Sequence, residues 1–277
     1  MLHLEKALFT HEPVHKRRTV QDFAPRQNPG IRNVTVVRTW SFTDVVILCG
    51  GRGKRLAVIT KYVPKPLAPI HNRPFLDILV RHIADSGFKR IILCVGYKAE
   101  AIENYYKSTT KEIDIIFSKE KEPLGTGGAI GNAQSLIKSK NFLVVNGDSF
   151  CNINLQGILR FHLQRKALCS LALSKCKSSD DVGLVRLNPN KRIIKFNEKL
   201  KSSCAKDYIN CGIYVFNKKV FSYMPDKEIF SLEYDLFPKL IGREVYGYIT
   251  TAELIDIGTP QRYRLAQKKL KDFIKQR

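Results

Sequence analysis

From Asp44 onward the chain alternates between two hydrophobic rhythms. Apolar runs of strand length occur at Val45–Cys49, Arg90–Val95, Ile113–Phe117 and Phe142–Val145, and stretches with helical spacing, Pro74–Ser86, Lys98–Tyr106 and Gly128–Ser139, lie between them. Strands separated by helices predict right-handed βαβ crossovers, hence a doubly wound α/β unit whose mainly parallel sheet is covered on both faces. After Asp148 the connections shorten. Strand-like runs at Leu168–Ser174, Val182–Leu187, Arg192–Phe196 and Tyr208–Phe216 predict a small antiparallel extension carrying part of a substrate pocket. Thr259 and Pro260 read as the cap and first residue of a final helix reaching about Phe273.

Residues 1–42 follow neither rhythm. They hold Pro13, Pro25, Pro29, Gly30 and the cluster Lys16, Arg17 and Arg18, with one brief apolar segment at Val34–Val37. They are read as a basic N-terminal extension, with a linker, a peripheral strand and a disordered arm all open, and 43–277 as the folded domain. No uncharged apolar run of about eighteen residues occurs, so membrane insertion is not expected and a soluble cytoplasmic protein is. The seven cysteines form no C-x-x-C pair, and several fall inside predicted strands, where a thiol acts as a small apolar filler. Neither zinc nor disulfides are implied.

The net charge of +22 changes the picture most. It admits a nucleic-acid surface, an anionic membrane surface, or a site for phosphorylated small molecules. The basic residues are scattered along the chain, and no RNA-binding or helix-turn-helix signature accompanies them, so nucleic acid is not the expected partner.

Candidate chemistry begins where the first predicted strand ends, in "CGGRGKRL". Gly50, Gly51 and Gly53 let backbone amides approach an anion closely, and Arg52, Lys54 and Arg55 add positive charge. A loop after the first strand of an open α/β sheet is a usual ligand contact. Two familiar nucleotide motifs nevertheless fail: Leu48 and Arg55 occupy places where a P-loop needs glycine and Ser or Thr, and Leu56 stands at the third glycine of the dinucleotide fingerprint. Lys65 sits between Pro64 and Pro66, whose rings restrict its backbone and lower the ordering cost of reaching a phosphate.

These residues, with "PLGTGGAI" (123–130), "VVNGDSF" (144–150), "FNEK" (196–199), "INCGIYVF" (209–216) and "IDIGTP" (255–260), resemble the sugar-nucleotidyltransferase family in order, over roughly residues 44–270. Such enzymes join a sugar 1-phosphate to a nucleoside triphosphate and release pyrophosphate on a Rossmann-like fold. "VPKPLAPIHNRPFLDILV", "CVGYKAEAIENYY" and "FSLEYDLFPKLI" most resemble the branch making GDP-D-glycero-D-manno-heptose for bacterial surface glycans such as lipopolysaccharide. Mannose-1-phosphate guanylyltransferases and N-acetylmuramate-1-phosphate uridylyltransferases are close relatives, so GTP is favoured while base and sugar stay open. Lys54 stands where many members have threonine, and Cys49 where alanine is usual.

The resemblance implies that Asp148 and Asp256 are magnesium ligands, with Arg55 toward the triphosphate and Lys65 toward the reacting phosphates. It places the nucleotide on Cys49, Gly50, Gly51, Arg52, Gly53 and Lys54 and on Gly125, Thr126 and Gly127. It assigns Glu198, Lys199 and Asn210 to the sugar-phosphate substrate, Glu198 and Asn210 on the sugar hydroxyls and Lys199 on its phosphate. Both reactants are anions, and two unit charges 4 Å apart repel by about 4 kcal/mol at an effective dielectric near 20, so a cationic site is required. A homodimer is compatible with the sequence. Two other classes stay in view, a nucleotide-sugar sensor without turnover and a basic nucleic-acid binder.

Overall fold

The computed structural model describes residues 40–56, 60–107, 113–175, 183–197 and 207–275. All lie in one compact unit, Thr39–Arg277. In chain order the strands are β1 (Asp44–Leu48), β2 (Pro69–Ile70), β3 (Arg73–Pro74), β4 (Arg90–Val95), β5 (Asp114–Lys119), β6 (Asn141–Asn146), β7 (Ser149–Cys151), β8 (Cys169–Lys175), β9 (Leu184–Leu187), β10 (Ile193–Asn197), β11 (Tyr208–Asn217), β12 (Val245–Thr250) and β13 (Leu254–Asp256). The helices are α1 (Phe75–Asp85), α2 (Ala99–Lys107), α3 (Gly125–Asn132), α4 (Leu155–Gln164), α5 (Phe237–Leu240), α6 (Pro260–Lys269) and α7 (Lys271–Lys275).

Among the described residues a nine-stranded sheet runs β10-β9-β11-β6-β1-β4-β5, with β8 joined to β11 and β12 to β8. The pairs β1–β4, β4–β5, β1–β6 and β8–β12 are parallel, while β11 runs antiparallel to β6, β8 and β9. The antiparallel extension thus continues the parallel sheet.

Alternation along the central strands fills both faces, as a two-sided sheet requires. Val45, Ile47, Ile91, Leu93, Leu143 and Val145 join one cluster with residues of α1, α2 and α4. Val46, Ile92, Phe142 and Val144 join another with residues of α3 and α5. Each such fully buried side chain contributes about 1.5–3 kcal/mol of transfer free energy.

The chain travels outward from β1 to β4 and β5, with α1 and α2 on the first face, then crosses over through α3 on the second face to place β6 on the other side of β1. A crevice between the carboxyl ends of β1 and β6 follows, the place where such sheets bind ligands.

Two predicted helices differ. The expected helix over Gly128–Ser139 runs instead over Gly125–Asn132. Its start moves earlier because the Phe230 carbonyl accepts from the amides of Gly127 and Gly128 at 3.0 and 3.2 Å, satisfying N-terminal donors. Its end moves earlier because the buried Asp44 carboxylate takes the amides of Lys138 and Ser139 at 2.6 and 2.7 Å and also binds Arg90, which ties this segment to the base of β1. The final helix begins as predicted, with the Thr259 hydroxyl accepting from Arg262 N and Pro260 in the first turn, but pauses at Leu270 before α7. No helix of the described residues is long and apolar enough to cross a membrane. Cys49, Cys94, Cys151, Cys169 and Cys211 are free and buried, as the apolar-filler reading expects, while Cys176 and Cys204 lie outside the described residues.

Candidate active site

The glycine-rich loop leaves β1 at Cys49, whose amide still bonds the Cys94 carbonyl at 2.8 Å. Burial pushes the Cys49 thiol well above its ordinary range, so it packs as a neutral apolar group. Gly51 and Arg52 are exposed, and a side chain at Gly51 would meet nothing within 4 Å. Gly53 is constrained on two counts: its φ is 61°, and a Cβ there would lie 2.9 Å from Thr60 and 3.1 Å from Lys65. The loop then closes into a short turn, Lys54–Leu56, anchored by buried Leu56, whose amide bonds the Gly53 carbonyl at 2.8 Å.

Lys65 opens a second short turn, Lys65–Leu67, in which Pro66 fixes φ and the Leu67 amide bonds the Pro64 carbonyl at 2.8 Å. The side chain lies against Gly53, is 8% exposed, and donates from Nζ to Asp148 Oδ2 at 2.6 Å. Asp148 follows the carboxyl end of β6, and Gly147 brings that turn against β1, its amide bonding the Leu48 carbonyl at 3.0 Å. A Cβ at Gly147 would sit 2.5 Å from that carbonyl oxygen, so only glycine fits.

Asp256 arrives from the far end of the chain. β13 pairs antiparallel with β7 in the register Asp256 to Ser149, and Ile257 N donates to Asp148 O at 3.0 Å. The two acids therefore sit on neighbouring segments at one edge of the crevice. Asp256 Oδ1 accepts from Gly258 N at 2.8 Å and its Oδ2 lies 3.4 Å from the Arg262 guanidinium. A Cβ built on Gly258 would meet Asp256 Oδ1 at 2.9 Å, the Arg55 guanidinium at 3.8 Å and Lys65 Nζ at 4.0 Å, which locates all three groups around one point. A 270 Å3 cavity opens there, lined by Gly51, Gly53, Arg55, Lys65, Asp148 and Gly258 among others.

Two carboxylates with two cations beside them suit a small hard cation, which uses one or two protein oxygens and completes its shell with water and phosphate. Asp148 is half-exposed and lines the cavity, while Asp256, about a quarter exposed, stands behind the lining residue Gly258, on which a Cβ would lie 2.9 Å from its Oδ1. No cluster of three or more His, Cys, Asp or Glu side chains able to hold a metal occurs among the described residues.

Other expected residues have different surroundings. Gly125 takes φ 77°, and Gly125 and Gly127 lie against Phe230, whose ring fills the space a Cβ on Gly127 would occupy. The Thr126 hydroxyl donates to Glu233 at 2.8 Å and accepts from Leu232 N at 2.9 Å. The small residues here thus receive the 228–233 segment and hold α3 in place. Asn210 Nδ2 donates to the Tyr214 hydroxyl at 2.9 Å and its Oδ1 accepts from Gly212 N at 3.1 Å, shaping the bulge in β11. Gly212 takes φ 68°, and a Cβ there would lie 2.7 Å from the Asn146 side chain and 3.0 Å from the Ser149 hydroxyl, so the bulge packs where only glycine fits. Glu198 and Lys199 lie outside the described residues.

Glu120, Thr60 and Lys98 were not singled out by sequence. Glu120 follows β5, its carboxylate occupying the space a Cβ on Gly50 would take while Oε2 accepts from Leu124 N at 3.2 Å. Burial raises its pKa above the ordinary carboxylate value. The Thr60 hydroxyl donates to the carbonyls of Gly53 and Leu56, and Lys98 Nζ donates to the carbonyls of Thr60 and Lys61 at 3.2 and 2.7 Å, bracing the loop from behind. The left-handed φ of 55° at Lys98 is the kind of signal visible only in a backbone.

The D-glycero-alpha-D-manno-heptose 1-phosphate guanylyltransferase of Aneurinibacillus thermoaerophilus is 39% identical over 232 residues, 83% of this chain and 100% of that protein. A mannose-1-phosphate guanylyltransferase of Mycobacterium tuberculosis is 33% identical over 79% of this chain and 62% of its own length. The crystal structure of HddC from Yersinia pseudotuberculosis complexed with GMP-PN superposes with a TM-score of 0.72 at 33% identity, over 83% of this chain and 100% of that one. The sequence pattern of the nucleotidyl transferase family matches residues 44–272, and the chain belongs to that family.

Proposed function

We propose that the protein is a sugar-1-phosphate guanylyltransferase, taking the guanylyl group from GTP and a heptose 1-phosphate as acceptor. The observation that carries this reading is the convergence of Arg55, Lys65 and Asp148 on one small cavity beside the glycine loop, with Asp256 against Gly258 at its edge. Its similarity to heptose guanylyltransferases supports the choice of sugar.

A phosphate oxygen of the sugar attacks the α-phosphorus of the nucleotide. A new P–O bond forms there, the bond to the bridging oxygen breaks, and its electron pair leaves with pyrophosphate. No protein nucleophile is required. The chain's task is to bring two anions together and hold them in line, which positioned cations and amides accomplish without reorganising. Gly51 and Gly53 offer amides to the triphosphate, with Arg52, Lys54 and Arg55 adding charge. Lys65 Nζ, fixed by its proline-bounded turn, faces the reacting phosphates. Asp148 and Asp256 would hold magnesium, whose charge offsets what develops on the leaving group. Gly125, Thr126 and Gly127 border the nucleoside, Glu198 and Asn210 take the sugar hydroxyls, and Lys199 takes the sugar's phosphate.

Glu120 gives a physical reason for guanine. An ionised carboxylate accepts only, and guanine carries two adjacent donors at N1 and N2 where uracil carries one N–H between two carbonyls. The carboxylate beside Gly50, at the mouth of the loop, suits the first pattern. Residues 43–277 form the catalytic unit, with 1–42 an extension to it. The free, buried cysteines support a cytoplasmic location.

The test is a matrix of four nucleoside triphosphates against heptose, mannose, glucose and N-acetylated sugar 1-phosphates, scored by pyrophosphate. Highest kcat/KM for GTP with a heptose 1-phosphate is expected. Highest activity with mannose 1-phosphate would move the assignment to that branch, and binding without turnover in every cell would make the protein a sensor.

A further inference from the structure

A second cavity, of 720 Å3, lies at the other end of β6 from Asp148, lined by residues around Asn141, the C-terminus of α4 and the Asn217–Tyr223 segment. Asn141 and Asn146 bound the strand, so five residue steps, about 16 Å, separate the two sites. The volume is within the range of pockets that hold a nucleotide-sized ligand.

Its floor is a built polar network. Buried His162 contacts the Ser170 hydroxyl through Nδ1 at 3.1 Å and Asn141 Oδ1 through Nε2 at 3.2 Å, and Asn217 Nδ2 donates to the same Oδ1 at 2.9 Å. With Oδ1 accepting twice, the Asn141 amide nitrogen is directed away from these partners, and it donates to no group among the described residues. Above this floor stand Lys140, Lys166, Lys219 and Arg243, none of which has a carboxylate partner among the described residues. Arg243 lies over the Tyr223 ring at 5.3 Å. The acid of the lining, Glu244, is already engaged by Arg192 and by the Tyr246 hydroxyl. Lys166 takes φ 48° where the chain leaves α4, a left-handed position that favours glycine.

We infer that this cavity is a second anion site, taking the diphosphate group of a small molecule such as a nucleoside diphosphate. Four cations and a donor-bearing amide line it, and a single phosphate leaves most of that charge unmatched. A ligand there touches Asn141, on the strand that carries Asp148 at its other end.

The experiment is calorimetric titration of the full chain with inorganic pyrophosphate and, separately, GDP. Two classes of site are expected for pyrophosphate, one in the crevice and one here. The double variant Lys166→Glu/Lys219→Glu, changed only at exposed positions, should lose one class by at least tenfold in affinity while keeping the other and its turnover. Asn141→Asp keeps the acceptor used by His162 and Asn217 but turns the free donor into an anion, and should lose the same class, with an unchanged circular dichroism spectrum. Lys65→Met should weaken the crevice class and leave this one intact, which separates failure here from failure of the proposed activity. A single class in the wild type, two unaltered classes in both variants, or stronger competition from phosphatidylglycerol vesicles than from GDP would overturn the inference.

Discussion

Replacing Lys65 by methionine isolates the charge that the proposed chemistry needs. The side chain is 8% exposed, its backbone is set by Pro64 and Pro66, and Nζ is 2.6 Å from Asp148 Oδ2. Methionine retains most of the buried stem and removes the ammonium. Two effects separate in size. For stability, the partner carboxylate is half-exposed, so the pair behaves like a surface ion pair worth at most about 1 kcal/mol, or roughly 2–4 °C in Tm for a chain of this size. For the reaction, a phosphate oxygen 4 Å from Nζ gains about 4 kcal/mol at an effective dielectric near 20, and removing one preorganised donor to developing charge costs about 2.7–4 kcal/mol. The expected loss is therefore on the order of 10²–10³ in kcat/KM from a protein that still melts within a few degrees of wild type. Pyrophosphate release and a thermal melt on the same preparations decide it. A variant within tenfold of wild-type kcat/KM would refute the placement of Lys65 on the reacting phosphates.

Other perturbations have distinct signatures. Asp148→Asn removes charge with little change in shape and should abolish magnesium-dependent turnover while leaving the circular dichroism melt within a few degrees; full activity removes Asp148 from the chemistry. Gly53→Ala introduces a Cβ at φ 61° against Thr60 and should lower kcat/KM by at least tenfold, whereas Gly51→Ala, with open space around it, should leave the melting temperature unchanged. Glu120→Gln should shrink the preference for GTP over ITP, which lacks the N2 donors, by about 1.5–3 kcal/mol; because burial raises the Glu120 pKa, GTP affinity should weaken on acidification from a pH above the ordinary carboxylate range. Burial lowers the His162 pKa from 6.5 to about 4, so its neutral form stabilises the fold above pH 6.5, and that stability, about 3 kcal/mol, is lost as pH falls toward 4. Urea midpoints measured across that window should fall, and should fall less in His162→Gln.

The strands of the parallel half were legible in the sequence because both faces of the sheet are buried, giving short apolar runs such as Arg90–Val95 that match the observed β4. Helix boundaries were less so. The limits of α3 are set by Phe230 and Asp44, which lie 105 and 88 residues from its ends at Gly125 and Asn132, and nothing local announces them. Asp148 and Asp256 were named from motifs, yet what joins them is a ladder of two three-residue strands, too short for any periodic signal. Lys65 was legible through its flanking prolines. Glu120 was not, since a single acid after a strand looks like any solvated turn residue until Gly50 is seen to make room for it. The roles of Gly125, Thr126 and Gly127 in receiving Phe230 and Glu233 likewise depend on contacts about a hundred residues away in sequence.

The most direct measurement is the stereochemical course at the α-phosphorus, using GTP carrying a chiral α-thiophosphate and a heptose 1-phosphate acceptor. A crevice that seats both anions at once, with cations in place of a protein nucleophile, predicts one in-line displacement and inversion of configuration. Retention, the mark of two displacements through a covalent nucleotidyl–protein species, would contradict it.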